Sequence, residues 1–158
     1  KIQNIDREVG AIAFFAEPGD ITINTKLNNF LENAVITGSK NQKKYTQYKT
    51  LRKRYTEKNK TLTQLLIGAA EAKNIKAIDS IDTLQKRVLA GSYLATVNFA
   101  LNNKDYEIAP FLALSEIYNA NTKYLDTIYN TLTPKIKAST YGVALKEFIS
   151  QTKSQDSL

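Results

Sequence analysis

Thr37-Gly38-Ser39-Lys40-Asn41-Gln42 is the stretch on which the reading of this chain turns. Upstream of it the sequence runs in short alternating segments, and downstream it runs in long segments with helical spacing. Ser39 followed three residues later by Gln42 is a capping-box pattern, in which a hydroxyl satisfies one of the orphan amides at a helix start. A glycine immediately before it punctuates the change. The expectation is an α+β chain. A short antiparallel β-sheet at the N-terminus, incomplete as it stands, is followed by an all-helical region of about five helices.

Working upstream from the seam, residues 34–37 read as a strand, and Ile21-Thr22-Ile23-Asn24-Thr25 alternates apolar and polar residues, which predicts one buried face. Before it, Glu17-Pro18-Gly19-Asp20 has the chemistry of a type II turn, with proline presetting one central position and glycine supplying a positive φ at the other. The apolar run 11–15 on the far side of that turn is therefore expected to pair with 21–25 as a hairpin. Three strands with no cover make a poor core, so such a sheet must pack against helices, further strands or a partner.

Downstream, a first helix is expected over residues 39–72. Its stripe of Tyr45, Tyr48, Tyr55, Leu62, Leu65, Leu66 and Ala69 is aromatic early and aliphatic late. A second helix carries Ile75, Ile78, Ile81, Leu84, Val88, Ala95 and Phe99 and ends at Asn102-Asn103. Three shorter helices follow over 108–118, 122–132 and 141–149, with Thr133-Pro134 fitting an N-cap and a proline at the first helical position. The predicted organisation is a β-rich segment 1–38, a helical region 39–150 and a polar flexible tail 151–158.

The 158 residues carry a formal charge of +7, and its location matters more than its size. Residues 40–60 hold nine lysines and arginines against one acid, Glu57, a local charge of +8, whereas the other 13 cations and 14 acids nearly cancel. Lys43, Lys44, Lys49, Arg52, Lys53 and Arg54 are the candidate interaction surface. A solvated helix face explains such a run without a ligand. A nucleic acid or other polyanion, with tyrosines stacking on bases, is the competing reading.

The chain has no cysteine and no histidine. That removes disulfides, thiol redox chemistry and the commonest catalytic nucleophile, base and soft metal ligands. No nucleophile elbow and no glycine-rich phosphate loop occurs, and the six glycines stand apart. Asp79 with Asp82, and Asp105 with Glu107, lack calcium-loop spacing and sit at boundaries where acids stabilise helix starts. Glu17, Glu116 and Asp126 would matter to a carboxylate-based hydrolase only if the fold brought carboxylates together. The expectation is no catalytic residue, no metal and no cofactor. No apolar run approaches the roughly 20 residues that span a bilayer.

The order of the motifs adds a resemblance. Residues 14–23 (Phe-Phe-Ala-Glu-Pro-Gly-Asp-Ile-Thr-Ile), then 35–41, then a tyrosine-rich basic helix, resemble a Bacteroidetes envelope domain of unknown function, the domain of unknown function 4369 type. The likeness continues through Ala109-Pro110-Phe111-Leu112-Ala113-Leu114, Leu132-Thr133-Pro134, and 139–145 ahead of Phe148-Ile149. Members of that family usually begin with several more strands and commonly precede a thioredoxin-like domain of the AhpC/TSA type, often in lipoproteins. The resemblance implies a periplasmic or outer-membrane-anchored location, a noncatalytic accessory role, and a protein partner or adjacent domain rather than nucleic acid. Its thiol chemistry would reside in a separate domain.

Overall fold

The computed structural model describes residues 11–155. Its contacts divide the chain into an N-terminal unit ending at Thr46 and a second unit beginning at Gln47.

The N-terminal unit holds an antiparallel pair, β1 (Thr22–Asn24) and β2 (Val35–Thr37), in the register Thr22 to Thr37, Ile23 to Ile36 and Asn24 to Val35. The short sheet before the helices is as the sequence predicts, but its pairing differs. Residues 11–15 form no strand. Phe15 instead turns to the start of the first helix: its N–H donates to Gln42 Oε1 at 3.2 Å, and its ring packs edge-on against Tyr45 with centroids 5.8 Å apart. Those contacts occupy the segment that a hairpin would have needed. Where the turn is predicted the chain bends at Pro18-Gly19, with Gly19 at a positive φ of 123°. The predicted buried face does not form: all three β1 residues are exposed, and so is Val35 in β2.

Gly38 shows why the seam reads as it does. It has φ 94°, and a Cβ built on it would lie 2.0 Å from the Asp20 carbonyl oxygen. Only a residue without that carbon lets the chain pass this close and enter the helix.

The helix α1 (Lys40–Glu71) spans 32 residues, about 48 Å at 1.5 Å per residue. Ser39 caps it as expected, its Oγ accepting the Gln42 N–H at 3.0 Å. At the far end Lys73 takes a left-handed φ of 52°, with Asn74 N–H on Ala69 O and Lys73 N–H on Ala70 O. This Schellman closure satisfies the last carbonyls. Asn74 then caps α2 (Ile75–Asn102) through Ala77 N–H.

Within the second unit, α1 and α2 meet along a narrow seam of Leu62, Ala69, Ile81 and Val88, flanked by Tyr55, Leu66, Ala77 and Ile78. Tyr55, Leu62 and Ala69 recur every seven residues, the spacing of a thin coiled-coil contact rather than a broad apolar face. Leu65 and Ile75, expected in the buried stripes, therefore fall outside it and are more than half exposed.

The helices α3 (Ile108–Glu116), α4 (Thr122–Thr131), α5 (Pro134–Lys137) and α6 (Thr140–Gln155) complete the unit. They bury Ala109, Ala113, Ile117, Leu125, Ile128, Leu132, Ile136, Leu145 and Ile149 against Val97 and Ala100 of α2. Pro134 opens α5 at its first turn, as read from the sequence, though Thr133 makes no side-chain cap bond. α6 continues through Gln155, into the segment expected as a tail, and Lys153 in that stretch pairs with Asp126 at 2.8 Å. Among the described residues no helix is long and apolar enough to cross a membrane.

Candidate functional site

In the N-terminal unit the polar chemistry gathers at the start of α1. Glu17 reaches the first turn, accepting from the Asn41 backbone N–H at 3.2 Å and its side-chain amide at 2.7 Å. Burial pushes the Glu17 carboxyl upward, but hydrogen bonds from the Ser39 hydroxyl, the Asn41 backbone and side chain, and the Lys40 backbone outweigh it and leave it below the ordinary carboxylate range. Ser39 thus donates to Glu17 while accepting from Gln42. A carboxylate at the positive end of a helix is a structural clasp, and every group around it is already engaged.

The same unit exposes apolar surface next to its sheet. Val35 is 59% exposed, and Phe14, Ile23, Leu27 and Leu31 are also open to solvent. Among the described residues the sheet has two strands, each of which also offers a row of backbone groups along its outer edge.

The basic residues singled out in the sequence all lie on α1 and do not gather on one side of it. At 100° per residue, Lys49, Lys53 and Lys60 share one row, Lys43, Arg54 and Lys58 another, and together they wrap most of the solvent side. Lys44 is half-buried, whereas Lys43, Lys49, Lys53 and Arg54 are exposed. Arg52 differs from the rest, because its Nε is 2.9 Å from Glu116 Oε2, a carboxylate only 11% exposed.

The tyrosine row divides. Tyr48 is buried to 2% exposure, stacked edge-on with Phe99 and hydrogen-bonded through its hydroxyl to Thr96 Oγ1 at 2.9 Å. Thr96 donates to the Ser92 carbonyl, so Tyr48 is the donor in that pair. Tyr55 is only half-buried and helps to line an open groove of about 490 Å³ between α1 and α2. Arg52, Thr56 and Asn59 form one wall, and Gln85, Lys86, Leu89 and Ser92 the other. Gln85 Nε2 on Thr63 Oγ1, at 3.1 Å, joins the two helices on one side of this stretch. The groove was not legible in the sequence, because its walls meet only through the antiparallel register of two helices. The available signal was Gly91, whose missing side chain stands opposite the Tyr55 ring.

The carboxylates singled out earlier go to separate partners: Glu17 to Asn41, Glu116 to Arg52, Asp126 to Lys153 and Asp82 to Lys86. Among the described residues no group of three or more acids is placed to hold a metal ion.

Residues 2–45 match the family model of a domain of unknown function, DUF4369. The match covers the exposed strands, the Glu17 clasp and the first turn and a half of α1, and it ends one residue before the N-terminal unit does. The resemblance to the domain of unknown function 4369 type thus holds for that segment. No curated protein and no solved structure matches the chain.

Proposed function

We propose that this chain is a noncatalytic accessory or interaction module of a bacterial cell-envelope protein, working through surfaces rather than through a reaction. The observation that carries this reading is the sheet, two-stranded among the described residues, whose apolar residues Ile23 and Val35 face solvent. A two-stranded ribbon is marginal in water and gains most by adding a strand or a cover. The envelope assignment rests on the motif resemblance alone. A thioredoxin-like neighbour, where one accompanies this module, would supply the thiol chemistry that a chain without cysteine lacks. Polyanion binding through residues 40–60 is the second reading, favoured by the local charge of +8. The wrapped rather than striped arrangement of those cations argues against a single nucleic-acid footprint.

The test places a photo-crosslinking amino acid at Val35, and separately at Lys60 of α1, in the protein expressed in a bacterium that encodes it. The expected result is one discrete adduct from Val35 in the envelope fraction and none from Lys60. Adducts from neither position, or a protein confined to the cytosolic fraction, would refute the reading. Adducts from Lys60 that disappear on nuclease treatment would favour the second.

A further inference from the structure

Several features of the α1–α2 groove ask for a ligand more than for solvent. Its floor is Tyr55 and Val88, and its walls carry Arg52, Thr56 and Asn59 against Gln85, Lys86, Leu89 and Ser92. The Tyr55 hydroxyl, the Asn59 side-chain amide and the Ser92 hydroxyl have no protein partner among the described residues. Arg52 uses Nε on Glu116, and the rest of its guanidinium has no protein partner among them either. Lys86 is held only by Asp82, one turn away on the same exposed helix face. An exposed pair of that kind contributes little and yields readily to a competing carboxylate.

From this arrangement we infer that the groove binds an acidic, extended peptide segment of a partner protein. The inference rests on the interaction-module reading and adds a partner class and a second surface. Two distances favour a peptide. The pairs Tyr48 with Thr96 and Thr63 with Gln85 fix the antiparallel register, which sets Lys86 level with about residue 60 of α1. Lys86 and Arg52 are then separated by roughly 12 Å along the helix pair, at 1.5 Å per residue. Carboxylates four residues apart on an extended chain are separated by about 13 Å and point to the same side. The hydroxyls and the amide between the two cations suit the backbone carbonyls and amides of the intervening residues. The positive surround on α1 attracts such a segment before it docks.

The probe is a short fluorescein-labelled peptide with two glutamates separated by three serines, titrated by anisotropy against the whole chain at about 0.1 M salt. Saturable binding is expected, and Lys86→Gln should weaken it about tenfold, the scale of one charge-assisted hydrogen bond. Tyr55→Phe, which keeps the ring, should weaken it severalfold. Lys53→Gln removes the same charge from the far side of α1 and should change affinity less than twofold. Equal losses from Lys86→Gln and Lys53→Gln would overturn the proposal. So would undetectable binding, equal affinity for a peptide whose two glutamates are adjacent, or tighter binding of an oligogalacturonate or of duplex DNA. The readout is independent of crosslinking at Val35, so either surface can fail while the other stands.

Discussion

Gly142 is the residue on which the helical unit should prove least tolerant. It sits in the first turn of α6, its N–H facing Ser139 Oγ at 3.3 Å, beneath the last carbonyls of α5. A Cβ at this position would lie 2.0 Å from the Ile136 oxygen and 2.8 Å from the Lys137 oxygen. Ordinary contact begins near 3.4 Å, so backbone rather than a pliant side chain would have to retreat by more than an ångström. That displacement pulls on Ile136, which is packed in the core beside Leu145 and Ile149. Overpacking of this kind costs about 1–3 kcal/mol. Gly68, in the middle of α1, has nothing within 4 Å of its would-be Cβ, so alanine there should stabilise by up to about 1 kcal/mol through helix propensity. Urea unfolding followed by far-UV circular dichroism reads both. With a slope of about 2 kcal/mol per molar, Gly142→Ala should lower the midpoint by roughly 0.5–1.5 M and Gly68→Ala should raise it slightly. A Gly142→Ala midpoint at or above that of the parent would refute the close approach of α5 to α6.

Two other substitutions probe the clasp and the buried hydroxyl. The Glu17 carboxyl titrates below its unfolded value of 4.5, so its contribution is full above that pH and fades as the pH falls through the lower folded value. Glu17→Gln should cost about 0.5–1 kcal/mol at neutral pH and flatten the acid dependence of the N-terminal unit, and an unchanged acid profile would contradict the clasp. Tyr48→Phe keeps the edge-on contact with Phe99 but removes the bond to Thr96, and should cost about 1 kcal/mol, measured in a double-mutant cycle with Thr96→Val. Additive effects in that cycle would mean that the two hydroxyls do not act together.

The helices were legible where a boundary carries its own local chemistry. Ser39 and Asn74 cap with their own side chains, and Pro134 can occupy only a first turn. The strand pairing was less legible. Residues 11–15 have the composition of a strand, but Phe15 is captured by Gln42, 27 positions along the chain, and no period within the segment announces that. Leu65 illustrates a subtler failure. It belongs to the apolar row of α1 by spacing, yet a seam repeating every seven residues is too thin to cover it. Apart from Gly91, the groove lay beyond local reading, since Tyr55 and Lys86 line it together only once α1 and α2 take their register.

The account stands on the exposed strands being a contact surface, and amide hydrogen exchange reads that surface residue by residue. In the purified chain, the β1 and β2 amides at residues 22–24 and 35–37 should exchange far faster than those of the buried stretch of α2 around Val97 and Ala100. In the protein recovered from a bacterium that encodes it, together with whatever partner it captures there, the same strand amides should slow by about a hundredfold or more, as they would on joining a larger sheet. Strands already protected in the purified chain, or still unprotected in the protein recovered with its partner, would contradict it.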